Sequence, residues 1–486
     1  LYRIFPLLCL LTLGCSSDRA TTKAETPTVA AEAQAPPERE APKAGPAPEA
    51  PQRTGDPKAG YQAILDAAYV NCGVPSRLYG GAAILGLELG GAPAPGRADS
   101  LPFYLSRLKT RSGQEVVGPN CLSCHAGFIN GKLVIGLGDT QQDYSDTSYM
   151  VSELSPATLE AVSALAFLSK GEQAELEKFA QRLRTVMPYT KTAVRGVNPA
   201  DNLAAILFAH RDPKTLKWHD KPLLEPPPSV VVPVDTPPWW RMAKKRSMFY
   251  VGAGRGDHAR IMMTASTLCV DTMEGARAVD KVMPDVAAFI RSIEPPAWPW
   301  SVDQKLATRG RDVFEDNCAE CHGTYRDDPG HTYPNKVVDL ADIGTDPMLA
   351  RGASQFAHRF IDWYRKSFYG ETARLEPQKG YVAPPLDGIW ATAPFLHNGS
   401  VPTLATLLDS SKRPRFWRRS FRSRDYDRDA VGWRYRTLSK GHRAGSGMNR
   451  SLYDTSIPGY SNAGHTYGDS LSQSERTAVL EYLKTL

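Results

Sequence analysis

Two pentapeptides in the chain have the residue types and spacing for one specific chemistry. Cys121-Leu-Ser-Cys-His125 and Cys318-Ala-Glu-Cys-His322 are both C-x-x-C-H. Paired thiols at that spacing can add to the two vinyl groups of a haem and hold it as thioethers, with the adjacent histidine as an iron ligand. A chance cluster or half of a zinc site would also explain one such unit. A zinc site, however, closes several ligands around one ion, whereas these units lie far apart and each carries its own histidine. The expectation is two covalently bound haem c groups, attached through Cys121 and Cys124 and through Cys318 and Cys321, with His125 and His322 on the irons.

The surroundings of the two motifs differ. Between His125 and His210 there is no histidine, and Met150 and Met187 in that interval sit in no recognisable ligand loop. The first iron is therefore expected to have an open or weakly filled sixth position, the condition under which iron reacts rather than only passing electrons. In small cytochrome c domains the second ligand comes from a loop just before the last helix. That loop here is Ser461-Asn-Ala-Gly-His465, which makes His465 the expected partner of His322. His397, in Ala393-Pro-Phe-Leu-His397-Asn-Gly-Ser400, is the alternative.

The remaining cysteines bear on location. Leu1 to Cys15 has a basic start, a short apolar run and a Leu-x-x-Gly-Cys end, the build of an export signal with Cys15 as a lipidation site, or of plain secretion. Residues 16–56 are rich in Ala, Pro, Glu and Thr without an aromatic residue, so they read as an unfolded tether. Cys72 and Cys269 then remain as an even pair, a disulfide or two buried thiols. The expected location is the cell envelope, periplasmic or anchored in the outer membrane by lipid.

Helical periodicity predicts helices over residues 61–70, 155–168, 173–186, 202–210, 276–293, 303–316 and 471–486, the last opening on a capping box at Ser472 and Glu475. Pro295-Pro-Ala-Trp-Pro-Trp300 reads as a hinge, giving a haem domain over residues 57–300 and a cytochrome c domain over 301–486. Trp298 and Trp300 lie between the motifs in sequence, either between the haems in space or as interface packing. The Pro-rich run ending at Trp239-Trp240-Arg241, with Phe249, His258 and Arg260 beyond it, supplies candidates for a distal pocket or a loop anchor. An insertion at about 408–460 alternates arginine with aromatic residues. Nucleic acid is a poor counterpart for an exported haem protein. Propionates, an acidic redox partner or simple solvation fit better, and the net charge of +6 is too mild to add more.

Two C-x-x-C-H units in this order, with Ala383-Pro-Pro-Leu-Asp-Gly-Ile-Trp-Ala-Thr-Ala-Pro-Phe-Leu-His-Asn-Gly-Ser400 in the second half, resemble the bacterial dihaem cytochrome c peroxidase superfamily. The Asn120 to Gly127 setting and the Asn462-Ala-Gly-His465 ending resemble its rubber-oxygenase branch most. The resemblance implies a mainly α fold of two cytochrome c-like domains with long irregular loops and haems facing across their interface. It also implies one reactive and one electron-relay haem. Where the peroxidases place a loop histidine that closes the first haem, this chain has Gln141 and Gln142, closer to the open first haem of the rubber-oxygenase branch. The expected function is an oxidoreductase whose first haem meets peroxide or dioxygen. Expected partners are a periplasmic electron donor or acceptor and possible apolar substrates; a non-catalytic electron carrier is the alternative.

Overall fold

The computed structural model describes residues 50–67, 69–84, 91–97, 99–146, 155–325, 332–355, 357–442 and 449–486. The export signal, Cys15, most of the tether and Met150 lie outside these residues. Residues 50–56, expected to belong to the tether, make defined contacts. Arg53 pairs with Asp257 and Asp280, each at 2.8 Å, and Gln52 Oε1 accepts from the His258 backbone N–H at 3.0 Å.

Expected helices form where the apolar spacing placed them, at Pro57–Asp66, Pro156–Leu165, Lys170–Val186, Ala200–Ala209, Met273–Ser292, Gln304–Asn317 and Gln473–Leu483. The mainly α expectation nevertheless fails. Among the described residues helix covers 39% and strand 14%, with many small sheets, so the fold is mixed α/β. The strands come from stretches that are Gly- and Pro-punctuated or arginine–aromatic in sequence. A three-stranded sheet of Val74–Pro75, Glu115–Pro119 and Leu105–Lys109 leads into the first motif. A hairpin of Ala126–Ile129 and Lys132–Ile135 leaves it, turned at Asn130-Gly131, both at positive φ. A second three-stranded sheet, Tyr435–Thr437, Phe416–Arg419 and Leu452–Asp454, forms in the arginine-rich insertion.

Two large cores carry the molecule. One is built on Met273–Ser292, Pro57–Asp66 and Ala200–Ala209. The other is built on Gln304–Asn317 and the closing helix, where Gly310 lets the two helices touch: a Cβ there would drive into the Ala478 carbonyl. Contacts cross the expected division at residue 300. Phe360, Trp363, Tyr364, Phe368 and Tyr369 bury in the first core, with Trp363 stacked on Phe208 at 4.2 Å. Trp417, Tyr453 and Tyr460 pack on Val194 and Val197. The halves interlock because each supplies apolar side chains that the other buries.

Cys72 and Cys269, both buried, are joined in a disulfide across a sequence separation of 197. Closing so long a loop restricts the unfolded chain most in the chain-entropy view. Replacing both with alanine should lower the unfolding free energy by about 3–5 kcal/mol in denaturant titration; an unchanged midpoint would show that the bridge adds nothing.

Candidate haem centres

The first motif is one turn of helix, Leu122–His125, set between strand Glu115–Pro119 and the following hairpin. A single turn puts residues three and four apart on one side, which groups Cys121, Cys124 and His125. Asn120 closes the turn: its Oδ1 accepts from Leu122 N–H at 2.9 Å, and its Nδ2 donates to the Phe103 carbonyl at 3.0 Å. Asn198 Nδ2 and the Tyr144 hydroxyl lie 3.6 Å from the Cys124 sulfur. Burial pushes the Cys121 thiol up to about 12, so these surroundings favour neutral sulfur, as in a thioether, over a thiolate. His125 is pushed down to about 4 by burial, opposed by the Pro237 carbonyl.

The second motif follows the Gln304–Asn317 helix, with Cys318 at its end and Ala319–His322 as the turn. Gly323, at positive φ, ends it against the Thr332 carbonyl. Cys318 is also raised to about 12 by burial. His322 Nδ1 lies 2.8 Å from the Pro384 carbonyl. Such a bond orients the ring and leaves Nε2 for a metal.

His465 faces His322 with ring centroids 6.1 Å apart. Two metal–nitrogen bonds of about 2.0 Å, plus roughly 1.1 Å from each ring nitrogen to its centroid, require about 6 Å. The pair is therefore spaced to share one iron. His465 itself is at φ 46, and two side chains hold its loop. Arg413 donates to five carbonyls: Thr406 at 3.2 Å, Leu407 at 2.9 Å, Asn462 at 2.8 Å, Gly464 at 2.6 Å and His465 at 3.0 Å. Asn398 Nδ2 donates to Gly459 and Ser461 carbonyls at 3.0 and 2.9 Å. His397, by contrast, stacks on Tyr381 at 4.2 Å and makes no ring contact with His322 among the described residues.

Trp239 and Trp240 are adjacent yet belong to different cores. Trp239 stacks on His125 at 4.8 Å and 21°, and a ring stacked there stands beside the imidazole, not across an iron from it. Trp240 Nε1 and Arg241 Nε donate to the Asp387 carbonyl at 2.8 and 3.2 Å. The other distal-pocket candidates are engaged elsewhere. Phe249 is 38% exposed on a turn. His258 heads a short helix against Gln52, and Arg260 pairs with Asp280 and Glu371 at 3.0 and 3.3 Å. Gln141 Nε2 bonds the Phe128 carbonyl at 3.1 Å, and Met187 sulfur lies 3.8 Å from the Thr190 hydroxyl.

Arg241 Nη2 and Arg419 Nη1 are buried without a hydrogen-bond partner, near the Asp235 carboxyl, whose Oδ1 is also unpartnered. Burial lowers the Arg419 pKa to about 9 and pushes Asp235 well up. A buried guanidinium nitrogen without a partner is costly, so each of these two side chains has spare donor capacity for an anionic group such as a haem propionate. Sequence reading places Arg413 and Arg419 in a basic run with propionates as one counterpart, without singling either out, and gives Asn398 no role. Only the density of arginine near the ligand loop signalled any of them.

Residues 380–418 match the family model described as RoxA-like, cytochrome c-like. This segment supplies the Pro384 carbonyl at His322, the Asp387 seat of Trp240 and Arg241, Asn398 and Arg413. The chain is also 31% identical over 288 residues to the uncharacterised protein y4iJ of Sinorhizobium fredii (strain NBRC 101917 / NGR234), covering 46% of each. Its identity to protein y4iM of the same strain is 32% over 243 residues, covering 41% of this chain and 53% of that protein. The chain thus spans about half the length of these curated relatives. A cytochrome c-like segment of this kind is consistent with covalently bound haem c.

Removing the Arg413 clamp should loosen the ligand loop while leaving both attachment motifs intact. Arg413→Ala forfeits five charge-assisted bonds, each worth about 1.5–3 kcal/mol taken singly and less than additive together, and should move part of the low-spin absorption to high spin. Arg413→Lys, which keeps the charge but not the fork, should fall between. A spectrum identical to wild type in both would show that the clamp does not hold the ligand.

Proposed function

We propose that the chain is an exported c-type haem oxidoreductase with two haem centres of unequal ligation. The centre at Cys121, Cys124 and His125 meets peroxide or dioxygen. The centre at Cys318, Cys321 and His322, closed by His465, passes electrons. The observation that carries this reading is the His322–His465 spacing, set against His125, whose only ring neighbour among the described residues is Trp239.

Bound haem c would supply one-electron redox chemistry at each centre and, where a coordination position is free, a place for a small oxygen ligand. The protein's own residues do the rest. Four cysteines tether, His125 and His322 orient, and the buried Arg241 and Arg419 balance propionate charge between the centres. The Trp239-Trp240 step spans the two cores and offers a short aromatic route from one centre to the other. The RoxA-like match favours an oxygenase acting on an apolar substrate as the variant of this reading. The Cys72–Cys269 disulfide supports an oxidising compartment, and acylation at Cys15 would anchor the molecule in the cell envelope, within reach of a periplasmic electron partner.

Two measurements test the division of labour. Cyanide added to the oxidised protein should bind rapidly at one equivalent per chain, perturbing the His125 centre; no binding would leave a pure electron carrier. His465→Gly should add a second cyanide-accessible centre, whereas His397→Gly should not. If His397→Gly is the variant that opens it, the ligand assignment is wrong.

A further inference from the structure

The arginines of the insertion divide into two groups. Arg413 and Arg419 turn inward, as described. Arg424, Arg428 and Arg434 are exposed and line a surface concavity of about 410 Å³, whose other walls are Asn130, Trp300, Tyr426 and Asp429. No ion pair engages these three guanidiniums among the described residues. Three like charges against the single Asp429 repel one another, and they gain from an anionic counterpart brought from outside.

The floor of the concavity leads inward. Arg428 lies over the Trp300 ring at 4.6 Å. Trp300 stacks on Tyr426 at 5.7 Å and meets Trp390 edge-on at 6.2 Å. Trp390 is 2% exposed and shares a core with Phe314, Tyr325 and Cys318. The arginine-lined surface and a cysteine of the second motif therefore border one apolar core, with Trp300, Tyr426 and Trp390 in ring contact on the surface side. A solvated basic face would need no such backing.

We propose that this concavity is the docking port for a small one-electron redox protein with an acidic face. Its carboxylates meet Arg424, Arg428 and Arg434, and its redox group comes to rest over Trp300. This rests on the reading of the His322 centre as the electron relay. In each encounter one electron leaves the partner's reduced group, which is oxidised by one unit, and the His322 centre is reduced by one; no bond or proton need move. A compact patch with strong charge and little apolar surface suits the brief, electrostatically steered encounters typical of electron transfer.

The test uses the full chain with both haems, flavodoxin as an acidic redox protein, and hexacyanoferrate as a small anion. Binding of oxidised flavodoxin should weaken with added salt. It should weaken about tenfold or more in the triple variant R424E/R428E/R434E, and stay within about threefold of wild type in R424K/R428K/R434K. The rate of electron transfer from flavodoxin hydroquinone should follow the binding. Flavodoxin binding unchanged by charge reversal would overturn the port. So would a response confined to hexacyanoferrate, which would mark a small-anion site. Haem content of the same preparations separates the two levels: charge-dependent binding to a protein without haem at Cys318 and Cys321 would overturn the relay reading instead.

Discussion

An axial ligand must reach its metal to within a fraction of an ångström, and a C-x-x-C-H turn secures only one side of the iron. In the centre proposed at His322, the residue set opposite is His465, far along the chain and on a loop without regular structure. Its φ of 46 is one that non-glycine residues rarely adopt, so the loop cannot hold that shape unaided. Much of the second half can be understood as its support. Arg413 gathers five carbonyls around it. Asn398 ties its entrance, and Gly464 lets it press against Gly344, where a Cβ would collide with backbone. The sheet in the insertion then fixes the 393–400 loop, through Trp417 Nε1 to the Ser400 carbonyl at 3.1 Å and the Tyr453 hydroxyl to the Asn398 carbonyl at 2.7 Å.

The same need explains which features could be read from the sequence. The two C-x-x-C-H motifs rest on local spacing and are legible in the sequence, as are helices with clear apolar periodicity and the capping box at Ser472. His465 was inferred from its place before the last helix, and the structure sets that side chain opposite His322. Fold class was misread because the insertion has no period of two long enough to declare strands. Its sheet forms from segments of three or four residues that pair only in the tertiary context. Arg413 looked like any other arginine in a basic run. Its role lies in which carbonyls surround it, and that information is distributed over residues 406 to 465.

Arg260 and His258 show how residue type and structural surroundings can point in different directions. Their residue types suit a distal pocket, but the ion pair of Arg260 with Asp280 and the packing of the His258 helix against residues 50–56 make them part of the frame under the first core. Trp239, chosen as a wall, instead flanks His125. Its neighbour Trp240 enters the other core, so one peptide bond couples the environments of the two centres.

Unequal ligation is the claim on which the reactive and relay roles both stand, and electron paramagnetic resonance of the fully oxidised protein reads it most directly. One high-spin or weakly ligated ferric signal together with one low-spin bis-histidine signal, in equal amounts, is the predicted result. Two low-spin, strongly ligated signals that persist after partial reduction would contradict it and leave only an electron carrier.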